Sequence, residues 1–124
     1  MGNYSFSKAQ RLASEKSIQE LFQKGSSFYL HPFKVVFLKH PTPDCPHHQI
    51  LISVPNRNFK KAVDRNTIKR RIREAYRLQQ QLLSSEKKYL IAYIYTAKEI
   101  LPSGEIHKKL ALTFSKLTAQ NEKV

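Results

Sequence analysis

The chain has 124 residues, with 22 Lys or Arg against 9 Asp or Glu, which gives a formal net charge of +13 and a pI near 10. That length accommodates one domain, and the charge favours nucleic acid as a partner, ahead of an anionic membrane surface. The sequence contains no apolar run of about 18 residues that would span a bilayer. The single cysteine, Cys45, excludes an internal disulfide and favours a reducing cytoplasm.

The first half of the chain predicts an arm, a helix and three strands. Residues 1–13 are polar and basic and are predicted to form an extended arm. Ser14 is a suitable N-cap for a helix over about residues 15–24, and Gly25 marks the C-terminal end of that helix. Three apolar segments bounded by proline-containing breaks predict strands: residues 26–30, 33–39 and 50–54.

Residues 57–77 carry the densest positive charge, with nine basic side chains against two acidic ones. Apolar residues recur at helical spacing and predict a helix from about residue 61 to residue 83, with Asn58 as a candidate cap: Ile68, Ile72, Ala75 and Tyr76. Basic residues follow one another at four-residue steps beside them: Lys61, Arg65, Lys69, Arg73 and Arg77. Like charges at this spacing repel, and phosphate groups would offset the repulsion. The alternative is a helix face that is merely solvated.

The last third predicts a strand over residues 89–97 and a helix that follows Ser103. The strand is apolar on both faces and is expected to lie centrally in a sheet covered on both sides. We predict an α+β fold with the order α-β-β-β-α-β-α, a two-layer sandwich with a mixed sheet. We expect a single nucleic-acid-binding domain over residues 1–124, with an extended basic arm at 1–13 and a flexible tail at 118–124.

Three other features leave alternatives open. Tyr93 and Tyr95 belong to an aromatic stripe that either stacks unpaired bases or packs in the core beneath a helix. The histidines around Cys45, in the loop over residues 40–48, invite a zinc hypothesis, but no second ligand pair matches them, and a proline-rich loop is the preferred interpretation. The acidic residues form no cluster suited to metal-dependent phosphodiester cleavage, so the pattern indicates a binding protein without catalytic residues of its own.

Residues 62–74, AVDRNTIKRRIRE, resemble the signature of the bacterial ribonuclease P protein component. The positions that match the signature are Arg65, Asn66, Lys69, Arg70, Arg73 and Glu74. Thr67 departs from the usual Arg-Asn-Arg triplet, and Ile18 stands where the family often has a second phenylalanine. The resemblance extends over roughly residues 5–117.

The resemblance implies a ribonucleoprotein endonuclease that produces the mature 5′ end of tRNA, in which RNA performs the chemistry with Mg²⁺ held mainly by that RNA. The protein would bind the catalytic RNA through its basic motif and the single-stranded 5′ leader of precursor tRNA in a cleft between the first helix and the sheet. The family's β-α-β crossover is left-handed. Neither a membrane nor an obligate protein partner is expected, and the protein alone is expected to be inactive.

The predicted site residues fall into two sets. The predicted contacts to the catalytic RNA are Arg57, Lys60, Lys61, Arg65, Asn66, Lys69, Arg70, Arg73 and Arg77. The predicted leader-cleft residues are Arg11, Phe22, Phe33, Phe37, Tyr93 and Tyr95. The competing hypotheses are a general RNA-binding or ribosomal protein without a processing role, and a self-sufficient hydrolase.

Overall fold

The computed structural model describes residues 12, 14–40, 48–79 and 88–122. Its elements follow the predicted order: α1 (Glu15–Lys24), β1 (Ser26–Leu30), β2 (Phe33–Lys39), β3 (Gln49–Ser53), α2 (Ala62–Gln79), β4 (Tyr89–Tyr95) and α3 (Ser103–Glu122). Ser14 caps α1 as predicted, because its side chain accepts a hydrogen bond from the backbone N–H of Ser17 at 3.4 Å.

The four strands form one mixed sheet in the order β1-β2-β4-β3. β1 pairs antiparallel with β2, β2 pairs antiparallel with β4, and β3 pairs parallel with β4. The predicted central position of the strand after the basic helix is confirmed, since β4 has a neighbour on each side. Six of its seven residues are buried, as expected for a strand that is covered on both faces.

Helices cover both faces of the sheet to different extents. On the face that carries Phe33 and Tyr93, here called the two-helix face, α2 and α3 pack with the sheet to form the larger core. On the opposite face, here called the α1 face, Leu12 and Leu21 pack on Val36 and on residues of β4. The sheet with α2 and α3 therefore forms the two predicted layers, and α1 adds a partial third layer.

The α1 helix crosses the strands and covers only part of its face. The backbone N–H before it, at Leu12, donates to Ile50 O on β3 at 2.9 Å, and Gly25 at its other end packs on β2. Ten residues of helix are about 15 Å long, close to the ~14 Å width of four strands. A helix is only ~10 Å wide, however, whereas the seven residues of β4 extend for about 23 Å. Beside the C-terminal half of β4 the α1 face is therefore only partly covered: Ile94 is half-buried there, and Lys34 and Tyr29 of the neighbouring strands are exposed.

The crossover from β3 through α2 to β4 is left-handed. Ile50 directs its carbonyl toward Leu12 at the outer edge of β3, away from β4, and its side chain into the two-helix face. When β3 is drawn running upward with the Ile50 side chain toward the viewer, the carbonyl of this L-residue points to the right. Because that carbonyl points away from β4, β4 lies to the left of β3. A connection that passes in front of the sheet and moves left is left-handed, against about 98% of such units. The family resemblance implied this handedness, whereas the general rule predicted the opposite.

Several predicted boundaries were wrong. The third strand begins at Gln49 instead of residue 50 and ends at Ser53, and the fourth ends at Tyr95 instead of residue 97. Asn58 does not cap the basic helix, because α2 begins at Ala62. Asn58 lies in a turn before the helix, where its backbone N–H donates to Pro55 O at 3.4 Å. The predicted end of that helix, at residue 83, lies outside the described residues.

The C-terminal part of the chain was predicted too short as a helix. α3 begins at Ser103 itself and continues to Glu122, so the predicted flexible tail is helical over residues 118–122. No glycine or proline interrupts the chain there, and the hydroxyl of Thr118 donates to Phe114 O at 3.0 Å. Of the predicted N-terminal arm, only Leu12 lies among the described residues, and it is buried.

Candidate nucleic-acid interface

The basic stripe of α2 winds around the helix. Successive residues of an α-helix are about 100° apart, so each four-residue step advances the direction by about 40°. Ile68 and Ile72 face the core and are fully buried. Along the helix, successive basic residues therefore point progressively farther from the core: Arg65 and Lys69 are half-buried, and Arg73 is exposed. The basic residues of one sequence stripe therefore meet different surroundings.

Arg65 is engaged inside the protein. Its Nη1 donates to Phe59 O at 2.7 Å and to Lys60 O at 2.9 Å, two carbonyls of the segment that precedes α2. The guanidinium thereby fixes the path of this segment. Arg65 belongs to the predicted contact set, but at least one of its nitrogens has a structural role.

Arg77 and Arg71 also have partners within the chain. The Arg77 guanidinium pairs with Glu74, with Nε donating to Oε2 at 3.2 Å, and this hydrogen bond lowers the pKa of the Glu74 carboxyl. Arg71, which the sequence did not place in the contact set, donates from Nη1 to Leu101 O at 2.7 Å and ties α2 to the turn before α3. The positive charge of Arg77 is therefore partly offset.

The remaining predicted contacts form what we call the basic surface: Arg57, Lys60, Lys61, Asn66, Lys69, Arg70 and Arg73. Within the described part of the chain, none of these side chains forms an ion pair, since the salt bridges found there join Lys24 to Glu20 and Arg77 to Glu74. All but Lys69 are exposed. Cations that form no ion pairs within the protein attract a polyanion, and their affinity for it depends on salt.

The uncovered half of the α1 face forms a second surface beside the basic one. Strand register places four side chains in one row across the sheet, here called the open row: Tyr29, Lys34, Ile94 and Ser53. Tyr29 and Lys34 are exposed, and the other two are half-buried. α1 packs on the sheet beside this row, and the region between the helix and the open row is here called the cleft.

Phe22 lies on the side of α1 that faces this cleft. The Phe22 side chain points about 100° around the helix axis from that of Leu21, which is buried against the sheet. Because α1 is right-handed and runs from β3 toward β1, that direction points to the C-terminal end of β4. The Phe22 side chain is 47% exposed, which leaves ring surface available at the wall of the cleft.

The cleft and the basic surface meet at the end of β3. Ser53 is the last residue of that strand and the last member of the open row, and the chain continues from it through Val54 into the segment with Arg57, Lys60 and Lys61. Aromatic side chains next to a cationic groove are typical of sites that bind single-stranded nucleic acid.

Four predicted cleft residues lie on the wrong face of the sheet. Phe33, Tyr93 and Tyr95 are fully buried on the two-helix face, and Phe37 is half-buried there between Phe28 and Tyr89. The expectation that these rings line the leader cleft is therefore wrong, because they are core residues beneath α2 and α3. Of the other two predicted cleft residues, Phe22 borders the cleft and Arg11 lies outside the described residues.

The buried tyrosines satisfy their hydroxyls within the core. The Tyr93 hydroxyl lies 3.1 Å from Thr113 Oγ1, and the Tyr95 hydroxyl donates to Glu99 O at 2.7 Å. Burial raises the pKa of Tyr93 well above its ordinary value. Two exposed residues of the open row, Tyr29 and Lys34, were not in the predicted sets, and the signal for this face was Lys34, a charge between apolar residues of the strand.

The described residues contain no group of three or more His, Cys, Asp or Glu side chains that could hold a metal ion. At the two ends of the 40–48 loop, His40 Nε2 lies 3.0 Å from Gln49 Oε1, and His48 Nδ1 accepts from the backbone N–H of Tyr89 at 3.1 Å. Cys45 and His47 lie outside the described residues. Among the described helices, none has the length and apolar character needed to cross a bilayer.

Comparison with known proteins gives a consistent result. The family model for ribonuclease P matches residues 6–118. A ribonuclease P protein component of Porphyromonas gingivalis is 36% identical over 81 residues, a match that covers 65% of this chain and only 59% of that relative's length. The corresponding protein of Dictyoglomus turgidum is 33% identical over 108 residues, which covers 87% of this chain and 86% of the relative.

Solved structures resemble the fold over most of the chain. The ribonuclease P protein of Staphylococcus aureus superposes with a TM-score of 0.69 at 27% identity, covering 88% of this chain and 97% of that one. The protein of Thermotoga maritima superposes with a TM-score of 0.73, covering 86% and 96%, and at 24% identity this likeness concerns the fold alone.

Proposed function

The chain belongs to the ribonuclease P protein family, and from that premise we propose that it is the protein subunit of ribonuclease P. In this proposal it binds the catalytic RNA and the 5′ leader of precursor tRNA and thereby assists endonucleolytic maturation of the tRNA 5′ end. The enzyme is the complex, and the RNA carries the chemistry.

One observation carries the proposal beyond family membership: the basic surface adjoins the cleft at the end of β3. The cations of α2 suit the closely spaced phosphates of a folded RNA. The cleft, with Phe22 on its wall and Tyr29 and Lys34 on its floor, suits unpaired nucleotides. A protein with both surfaces in contact could hold the leader against the catalytic RNA, which would orient the cleavage site.

The proposal also concerns the metal ion, the partners and the compartment. Mg²⁺ would supply its charge from sites held mainly by RNA, since the described residues offer no carboxylate cluster for it. The partners are the catalytic RNA and precursor tRNA, with neither a membrane nor an obligate protein partner. The single cysteine and an RNA substrate favour the cytoplasm.

The test is cleavage of precursor tRNA by a bacterial ribonuclease P RNA at low Mg²⁺ concentration, with and without the protein. We expect the protein to stimulate cleavage, because its cations replace part of the counterion requirement of the RNA. The protein without RNA is expected to give no product. Absence of stimulation would favour a general RNA-binding protein, and turnover by the polypeptide alone would favour a hydrolase.

A further inference from the structure

Tyr29 lies on the edge strand β1, at one end of the open row. Its ring is exposed, but hydrogen bonds hold it in position. The side chain is 57% exposed, although its hydroxyl lies 3.2 Å from His31 Nδ1 and 3.3 Å from Thr96 Oγ1. Thr96 is itself held, because its backbone N–H donates to Pro32 O at 2.7 Å. An exposed tyrosine needs no explanation in itself, but one whose hydroxyl has two hydrogen-bond partners presents its ring in a defined orientation.

The surroundings of Tyr29 suit a nucleotide. The His31 ring lies beside it, with ring centroids 6.5 Å apart and a tilt of 57°, and it is also exposed. In the strand register Tyr29 stands opposite Lys34, whose charged end is exposed on the same face. An aromatic face next to a cation pairs base stacking with attraction for the adjoining phosphate.

The position of Tyr29 relative to the basic surface determines what could reach it. Four adjacent strands put Tyr29 about 14 Å from Ser53, the member of the open row at the opposite edge. The side chain points to the α1 face, but α1 crosses the sheet near Val36 and Leu90 and does not cover it. A strand of RNA that lies along the open row from the basic surface ends at Tyr29.

We propose that Tyr29, with His31 and Lys34, forms a stacking site for one base of single-stranded RNA at the end of the cleft far from the basic surface. The site rests on the proposed function, in which the cleft takes the leader of precursor tRNA. It makes binding depend on leader length, because only a leader that crosses the whole sheet places a base on Tyr29.

The experiment uses the protein assembled with a ribonuclease P RNA, and precursor tRNAs with either a long or a truncated leader. Tyr29→Ala is expected to weaken binding of the long-leader substrate about five- to 150-fold, the equivalent of ~1–3 kcal/mol for one stacked base. Binding of the truncated substrate should be unchanged. Tyr29→Phe keeps the ring but loses the two hydrogen bonds that orient it, so it should weaken binding of the long-leader substrate less than Tyr29→Ala does. Leu112→Ala, which truncates an exposed side chain of α3, is the control and should leave binding unchanged.

A second measurement locates the base. 2-Aminopurine is placed at successive positions of the long leader, and its fluorescence is quenched where the base stacks on an aromatic ring. Tyr29→Ala should restore fluorescence at one position, far from the cleavage site, without changing the others. Unfolding by urea checks that the variants remain folded.

The outcomes separate the two proposals. If the parent protein binds long and truncated leaders alike, or fails to stimulate cleavage, the proposed function of the cleft is wrong. If the parent protein prefers the long leader and Tyr29→Ala keeps both that preference and the quenching pattern, only the stacking site is wrong. Equal weakening of both substrates by Tyr29→Ala would also overturn it, since that result indicates a structural role.

Discussion

The cationic side chains of α2 differ in their interactions, because some donate hydrogen bonds to backbone carbonyls and others form no ion pair. Arg65 and Arg71 place guanidinium nitrogens 2.7 Å from backbone carbonyls and thereby connect α2 to its neighbouring segments. Lys69 and Arg73, four and eight residues beyond Arg65, form no ion pair within the described part of the chain. The residues available to phosphates are thus a subset of those that a basic motif contains.

Arg73→Ala should weaken binding of the catalytic RNA and reduce its salt dependence. Loss of one phosphate contact releases one counterion fewer, so the slope of log affinity against log salt concentration should become shallower by about 0.7–0.9. Titration of the RNA at several salt concentrations measures the slope. Lys108→Ala removes the same charge from an exposed position of α3 and should leave the slope nearly unchanged. Equal slopes for Arg73→Ala and the parent protein would remove Arg73 from the contact set.

At the scale of elements, the position of α1 decides where the cleft lies. The helix is held to the sheet by Leu21, which is fully buried, and by the close approach of its C-terminal end to β2. Gly25 has φ −71° and ψ 157°, an extended conformation that any residue adopts. Its role is therefore steric: a Cβ there would lie 2.3 Å from Leu21 O and 2.9 Å from Phe37 O.

Gly25→Ala is expected to destabilise the protein by about 1–3 kcal/mol, because both crowded atoms belong to the backbone and α1 must shift from β2. Urea unfolding measures this change. Gly104→Ala is the matched control: a Cβ at Gly104 meets nothing within 4 Å, and alanine in the first turn of α3 should be neutral or stabilise by up to ~1 kcal/mol.

The shift of α1 should also affect the cleft. Gly25→Ala is expected to weaken binding of a long leader more than binding of the catalytic RNA, since the basic surface lies on α2 and on the segment that precedes it. If both affinities stay at the parent values while stability falls, α1 does not set the geometry of the cleft.

At the scale of the whole molecule, the two faces of the sheet divide the aromatic residues between core and surface. Tyr76 of α2 and Tyr93 of β4 are buried in the larger core, and burial raises the pKa of each well above the ordinary tyrosine value. Tyr29, on the other face, is exposed. The core tyrosines contribute to the stability of the protein and to its pH dependence, whereas the ring of Tyr29 is available to a ligand.

The raised pKa values predict alkaline unfolding. A folded-state pKa above the unfolded value of about 10 means that the folded protein retains protons that the unfolded chain loses. The free energy of unfolding is therefore undiminished by these groups below pH ~10 and falls above it, by up to about 1.4 kcal/mol per pH unit for each tyrosine. Urea unfolding at several pH values measures this slope.

In Tyr93→Phe the free energy of unfolding should fall less steeply with pH above pH ~10, by up to about 1.4 kcal/mol per pH unit. This substitution should also cost about 1 kcal/mol at neutral pH, because the hydrogen bond to Thr113 is lost. Tyr76→Phe should remove a similar increment of the slope. An unchanged slope in both variants would show that these phenols ionise as readily in the folded protein as in the unfolded chain.

Local sequence patterns predict the order of elements, the core-facing residues of α2 and the basic motif. These depend on local periodicity and residue chemistry: Ile68 and Ile72 recur at helical spacing, and the strand over residues 89–95 is apolar on both faces. The family resemblance rests on the same local pattern, in Arg65, Asn66, Lys69 and Arg70.

Tertiary packing selects the face of the sheet that each aromatic ring occupies and the part of the α1 face that remains open. Phe33 and Tyr93 alternate with Lys34 and Ile94, and an alternating strand has the same pattern whichever face becomes the core. The choice depends on where α2 and α3 dock and on α1, which is as long as the sheet is wide but covers only part of the strand length. Packing between distant segments makes this choice, and the local pattern records it only in part, through the charge at Lys34.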